Sequence, residues 1–198
     1  MADRGLLVVL SGPSGTGKGT VIRKLLEDNP QVRLSISATT RNPREGEQHG
    51  EHYFFLTREE FESLIAKDAV LEYAEYCGRY YGTPKDPVEE WRNEGNDVLL
   101  EIEVQGGEQV KKKCPDCVTI FLLPPSVEEL ENRLRGRGTE NEETIQKRLT
   151  TAKEELKQAD CYDYNVVNTD VAEAAAEIME ILRKERAARR KERAARNS

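Results

Sequence analysis

Between residues 6 and 20 the chain runs from five apolar residues through a glycine-rich turn into a helical pattern, and few architectures accommodate that order. Leu6-Leu7-Val8-Val9-Leu10 has no polar residue on either face, as a strand requires when both sides of its sheet are covered. Gly12-Pro13-Ser14-Gly15-Thr16-Gly17-Lys18-Gly19-Thr20 follows. Val21, Ile22, Leu25 and Leu26 then recur at helical spacing until Asn29-Pro30 stops the helix. The spacing G-x-x-x-x-G-K between strand and helix is that of a phosphate-binding loop. Its glycines let successive backbone N–H groups turn inward around phosphate oxygens, and the helix N-terminus adds positive potential. Lys18 can then reach the β- and γ-phosphates of a nucleotide. One position departs from the strict pattern: Gly19 stands where Ser or Thr is usual. That leaves open whether the Thr20 hydroxyl, or any hydroxyl, touches a magnesium ion.

The rest of the chain repeats the alternation of strand and helix. Residues 32–37 alternate as a second strand, and residues 98–104 (Val-Leu-Leu-Glu-Ile-Glu-Val) and 118–123 (Val-Thr-Ile-Phe-Leu-Leu) have the character of interior strands. Residues 165–168 form a short last strand, followed by a closing helix from Val171. Ser126 with Glu129 is a capping box opening a helix through Arg135, and Thr139 with Glu142 predicts a second box before an amphipathic stretch at 145–159. The pattern predicts an α/β fold, a central mostly parallel sheet flanked by helices. Residues 38–93 break the rhythm with Tyr53, Phe54, Phe55, Tyr73, Tyr76, Tyr80 and Tyr81 and a boxed helix at Thr57-Arg58-Glu59-Glu60. They predict a lobe of short antiparallel strands plus helix, inserted into a core made of residues 1–37 and 94–198. A helix over 87–94 returns the chain to the core, and Gly95 ends it.

A chain of 198 residues can bury one core without disulfide staples. Its apolar runs are too short to span a bilayer or to serve as a signal segment, so the expectation is a cytoplasmic protein with no membrane partner. The formal net charge of -7 is uneven. From residue 183 onward eight Lys/Arg face two Glu, a local +6 that leaves -13 on the rest. Lacking an aromatic residue to stack on bases, this tail is read as a solvated helix end and not as a nucleic-acid contact. Cys114-Pro-Asp-Cys117 has the spacing of a redox pair or half a zinc site, but no second ligand pair accompanies it, and a turn with reduced thiols is the expectation.

Further motifs narrow the function. Ser35-Ile36-Ser37-Ala38-Thr39-Thr40-Arg41-Asn42-Pro43-Arg44-Glu45-Gly46-Glu47 puts two arginines three apart after a strand. His52-Tyr53-Phe54-Phe55, Leu71-Glu72-Tyr73-Ala74, Tyr80-Tyr81-Gly82-Thr83, Glu101-Ile102-Glu103-Val104-Gln105-Gly106, Arg133-Leu134-Arg135-Gly136-Arg137-Gly138 and Lys147-Arg148 follow in order. With the phosphate loop, these motifs resemble guanylate kinase from Leu6 to about Leu182. The resemblance implies a P-loop kinase with a GMP-binding lobe and a mobile lid at about 133–148, transferring the γ-phosphoryl group of MgATP to GMP. It further implies that Glu72 reads guanine N1–H and N2–H, with Ser37 and Thr83 as the hydroxyls facing O6. Arg41, Arg44, Tyr53 and Tyr81 match the family's GMP-phosphate contacts, and Gly82 and Glu103 match further residues of the GMP site. Lys18, Arg133, Arg137 and Arg148 match its catalytic cations, and Asn168 a position near the ATP adenine; capping of the last helix is an equal reading for Asn168. The family usually has Asp where this chain has Glu103. Thr20 and Glu101 are candidates for holding Mg²⁺, the implied cofactor, through water. ATP and GMP are the implied partners, with the oligomeric state open. Two other readings remain: a catalytically silent guanylate-kinase-like binding module, for which an intact loop with Lys18 is unusual, and a kinase for another small phosphate ester.

Overall fold

The computed structural model describes residues 3–136 and 141–196. Five strands form one wholly parallel sheet: β1 (Leu7–Ser11), β2 (Val32–Leu34), β7 (Asp97–Glu101), β8 (Val118–Leu123) and β9 (Tyr164–Val167), in the order β2-β7-β1-β8-β9. β1 lies at the centre, with Val8 opposite Leu99 on one side and Val118 on the other. Its unbroken hydrophobicity follows from this position. Leu6, Val8 and Leu10 pack with α1 (Lys18–Asp28) and α7 (Val171–Arg196) through Val21, Ile22, Leu25, Ile178 and Leu182. Leu7 and Val9 face the opposite layer, with Leu71, Val88, Leu100 and Val110. The glycine-rich loop leaves the C-terminal end of this central strand, where open parallel sheets place their ligand crevice.

Between β2 and β7 the chain builds a second sheet, ordered β4-β3-β6-β5, from β3 (Ala38–Thr39), β4 (Phe54–Phe55), β5 (Val70–Tyr76) and β6 (Arg79–Pro84). Its pairings are antiparallel except β3 with β4, which run parallel. The β5–β6 turn carries Cys77 and Gly78 at φ of 49° and 70°, the left-handed pair that matches strand twist in a tight hairpin. Between the strands, α2 (Arg58–Ala66) starts at the expected capping box, with Thr57 and Glu60 satisfying each other's backbone N–H. It buries Phe61 against the ring of Tyr80 at 5.2 Å. α3 (Lys85–Asn93) returns the chain to the parallel sheet, and Gly95 at φ 95° closes that turn.

Several boundaries differ from the sequence expectation. The second strand ends at Leu34; Ser35 N–H makes one more bond, to Leu99 O at 2.9 Å, before the chain crosses to the other sheet. The strand expected to reach residue 104 stops at Glu101, and α4 (Val104–Lys113) begins with Glu103 in the N-cap position. Glu103 is therefore a helix-start residue and not a strand residue. Helix α5 (Val127–Gly136) is capped by Ser126, whose Oγ accepts from Glu129 N–H at 3.1 Å. α6 (Glu142–Leu156) is capped by Asn141, accepting from Thr144 N–H at 2.9 Å; the expected cap, Thr139, lies outside the described residues. Cys114 and Cys117 close the turn before β8 through a 2.9 Å backbone bond, and burial pushes the Cys117 thiol up to about 11. Among the described residues no helix is long and apolar enough to cross a membrane.

Candidate active site

The loop after β1 is shaped by close approach as much as by composition. A Cβ on Gly12, at φ 150°, would lie 2.4 Å from the carbonyl oxygen of Leu122, and one on Gly17, at φ 90°, would lie 2.7 Å from Asn168 Nδ2. Gly17 is also the N-cap of α1 and supplies no capping side chain, so the first N–H groups of that helix stay open to an anion. The loop carbonyls, by contrast, are tied back. Asn168 Nδ2 donates to Thr16 O at 2.7 Å, Arg133 reaches Thr16 O at 3.4 Å and Asn168 O at 3.3 Å, and the buried Thr16 hydroxyl donates to Pro13 O at 2.9 Å. Asn168 thus braces the loop from behind; the cap of α7 is Asp170, which accepts from Ala172 and Glu173 N–H. Lys18 Nζ folds across the loop onto Gly12 O and, at 3.2 Å, Pro13 O. Ser14, Gly15, Gly17, Lys18, Gly19 and Thr20 line a cleft of about 320 Å³ with Glu101 and Glu103. A Cβ at Gly19 would meet nothing within 4 Å, so steric crowding does not demand glycine there.

A larger cleft of about 710 Å³ opens between the two sheets, lined by Lys18, Ser37, Tyr53, Glu72, Tyr81 and Gly82 and by Glu101, Glu103 and Gly106. Glu72 is 7 % exposed. Burial pushes its carboxyl above the usual range, opposed by the Thr83 hydroxyl, which donates to Glu72 Oε1 at 2.7 Å. Thr83 is itself buried behind the carboxylate. The backbone of α4 comes so close that a Cβ on Gly106 would lie 3.0 Å from Glu72 Oε2. Gly82 needs its missing side chain too, since a Cβ there would meet Glu72 O at 2.5 Å. Toward the outer rim, Arg41 lies 5.3 Å over the ring of Tyr53, with Tyr81 close to both.

Glu47, which the sequence reading did not single out, organises this rim. Its two oxygens accept from Arg41 NH1 and NH2 at 2.7 and 2.9 Å, and Oε2 also accepts the backbone N–H of Arg44 at 2.7 Å. The Arg41 fork, followed by that backbone bond, holds the Glu47 carboxyl down to about 2. The Arg44 side chain is exposed.

Lys18, Glu101 and Glu103 line both clefts, so the two cavities meet at one cation and two carboxylates. Burial raises the Glu101 carboxyl while Lys18 opposes the shift. Glu155 of α6 joins this group: burial and the charge of Glu103 raise its carboxyl, and Lys18 lowers it. Its distance in sequence from the loop gave no signal of that role. Arg148 sits half-buried on the same helix. Arg135 bridges α5 to α6 through Glu131 and Glu142, and its fork holds the Glu142 carboxyl down to about 2. Arg137 lies outside the described residues. Among those described, no group of three or more His, Cys, Asp or Glu could hold a metal by itself.

A family model described as guanylate kinase matches residues 4–185. A guanylate kinase of Desulfitobacterium hafniense (strain Y51) is 55 % identical over 180 residues, covering 91 % of this chain and 90 % of that one. One from Bacillus anthracis is 58 % identical over 175 residues, covering 88 % and 85 %. Among solved structures, guanylate kinase from Anaplasma phagocytophilum superposes with a TM-score of 0.71 at 37 % identity, covering 93 % of this chain and 87 % of that one.

Proposed function

We infer the site's chemistry from the premise that this chain belongs to the guanylate kinase family: it is an ATP:GMP phosphotransferase, moving the γ-phosphoryl group of ATP onto GMP to give ADP and GDP. ATP occupies the cleft of the phosphate loop, and GMP the larger cleft, whose outer wall is the lobe of residues 38–93. The observation that carries this assignment is the shared border: both clefts are lined by Lys18, Glu101 and Glu103. Two nucleotides seated in them present their phosphates to the same cation.

The loop's N–H groups and the open start of α1 receive the ATP phosphates, because their carbonyl partners are already engaged from behind. Lys18 exchanges its loop carbonyls for phosphate oxygens and neutralises charge on the moving group. Arg148 adds positive charge from α6, the family resemblance implies Arg137 as a further cation, and Arg133 acts through the loop it braces. Glu72 accepts from guanine N1–H and N2–H at once, Ser37 faces O6, and Thr83 fixes the carboxylate's orientation. Adenine presents an amino group and a bare ring nitrogen where guanine presents an acceptor and a donor, so it leaves Glu72 and Ser37 mismatched. Sites built on such pairing discriminate by about 10⁴–10⁵-fold. Arg41, Arg44, Tyr53 and Tyr81 hold the GMP phosphate in line with the γ-phosphoryl group. No side chain need act as a nucleophile, since positioning and charge stabilisation suffice for phosphoryl transfer.

Mg²⁺ fits this donor set as a companion of ATP, because it keeps several waters and takes one or two protein oxygens beside the phosphates. Thr20 and Glu101 would hold it through water, and it would supply positive charge to offset that of the transferred phosphoryl group. We place the reaction in the cytoplasm, where both nucleotides are available.

Release of ADP from MgATP with GMP, AMP, UMP, CMP or dTMP tests the reading, together with a Lys18→Ala variant. Turnover is expected with GMP alone, and the variant should lose about 10²–10³-fold in kcat with its melting temperature kept. Near-normal turnover in the variant would refute the role of Lys18.

A further inference from the structure

On the far side of the molecule from the nucleotide clefts, Arg4, Arg92, Arg186, Arg189, Arg190 and Arg193 converge on one cavity of about 60 Å³. They come from three separate parts of the chain: the segment before β1, the end of α3, and the last turns of α7. Guanidinium groups repel one another at this range, so carboxylates must share the space. Glu89 serves Arg4 and Arg92, Asp116 serves Arg92 and Arg189, Asp3 serves Arg190 and Arg193, and Asp97 serves Arg186. Among the described residues, six cations thus share four carboxylates, and a surplus of two positive charges remains.

The surplus is also visible in geometry. Arg92 is 3 % exposed. Its Nε donates to Gly5 O at 3.1 Å and NH1 to Glu89 at 2.8 Å, but NH2 comes only within 3.7 Å of Asp116. Arg189 NH2 donates to the Asp116 backbone carbonyl, but its NH1 stands 3.7 Å from the Asp116 carboxylate, and Arg193 NH1 3.5 Å from Asp3. At these separations charges attract without a short hydrogen bond, so donors lining the cavity keep capacity for another acceptor.

We propose that this cavity is a binding site for a phosphate group, free or as a monoester, that staples the end of α7 to the N-terminal segment and the Cys114–Cys117 turn. A tetrahedral dianion matches the surplus charge. Planar guanidinium forks offer paired N–H donors to its oxygens. The cavity's size admits one such group and excludes a chain of them. The site is separate from catalysis, since none of its residues lines either nucleotide cleft.

Calorimetric titration at fixed ionic strength, with MgADP and GMP saturating both clefts as a dead-end pair, tests this with inorganic phosphate and methyl phosphate in separate arms. One titratable site is expected in the wild type. Arg189→Gln with Arg193→Gln should weaken it by about tenfold, and Asp116→Asn should tighten it severalfold by raising the surplus. Turnover of all forms should stay the same. Binding of inorganic phosphate alone would restrict the ligand to the free ion, and binding of both would establish the phosphate group as the recognised unit. No saturable heat, or equal affinity across the three proteins, would overturn the proposal.

Discussion

Glu72 and Glu47 lie on one cleft, yet their environments shift them in opposite directions. Burial raises the Glu72 carboxyl, so the fold favours its protonated form, whereas ionisation is what guanine recognition requires. A group raised in the folded state contributes stability at low pH that is lost as pH rises through its folded pKa. At neutral pH the ionised carboxylate is therefore a burden on stability kept for function. Glu72→Gln should accordingly melt at the same or a higher temperature at pH 7.5, while kcat/KM for GMP falls by about 10²-fold and KM for ATP holds. The wild-type acid limb in kcat/KM for GMP should lie above the ordinary carboxylate range and vanish in the variant. A variant that loses stability and both substrates together would show Glu72 to be structural. Glu47 is held down to about 2, so its contribution is fully present above the usual carboxylate range and lost only as pH falls toward that value. It cannot supply the same acid limb. Its bidentate grip on Arg41 predicts that Glu47→Gln raises KM for GMP by about tenfold with KM for ATP unchanged, and that Glu47→Asp recovers part of the loss. Unchanged KM for GMP in steady-state assays would detach Arg41 from substrate binding.

At the scale of elements, α4 is a helix left unassigned by the sequence pattern. Gly106-Gly107 weakens a helix by propensity, because glycine costs about 1 kcal/mol relative to Ala in a helix interior. Tertiary contact overrides that preference: a Cβ at Gly106 would crowd Glu72, and one at Gly107 would lie 2.7 Å from Tyr162 OH. The same helix lets Gln109 stand in for a neighbouring strand, its side-chain amide bonding both N–H and C=O of Tyr73 on β5 at 3.2 and 3.0 Å. Such partners are invisible without the fold. Gly106→Ala separates helix propensity from site geometry. Its melting temperature should hold or rise, while the added methyl displaces Glu72 and KM for GMP climbs about tenfold. Unaltered GMP kinetics would mean that Glu72 has room to yield. By contrast, β1, α1 and the Thr57–Glu60 box were legible, because buried periodicity and local capping leave their mark within a few residues. Glu47 and Glu155 left none. The first makes its contacts inside an aperiodic loop, and the second faces Lys18 from a helix whose exposed positions are also rich in charge.

For the whole molecule, the sequence pattern was enough for the parallel sheet and the position of its glycine loop, but not for how the C-terminal helix joins the body. The tail reads as a solvated helix end, and Arg183 and Lys184 do pair with exposed Glu180 on their own helix. Arg186 behaves differently. Its Nε donates to both oxygens of Asp97 at 3.0 and 2.8 Å, and Asp97, fully buried at the start of β7, also accepts Leu6 N–H at 2.7 Å. One carboxylate therefore ties the residue leading into β1, the start of β7 and α7 together, with a sequence separation of 89 residues between Asp97 and Arg186. A helical charge pattern cannot reveal this, since the partner is a buried acid at the start of a distant strand. Removing the arginine leaves the carboxylate buried with one remaining donor. Arg186 is itself 29 % exposed, so the loss is below that of a fully buried pair and amounts to about 1–3 kcal/mol. Arg186→Ala should lower Tm by about 3–10 °C. kcat and both KM values at 25 °C should not change, because Arg186 lines neither nucleotide cleft. Arg186→Lys, with a point charge in place of the fork, should fall between the two. Equal melting temperatures for all three proteins would return the tail to the role of a solvated helix end; a graded loss with constant kinetics would make it a clamp on the central sheet.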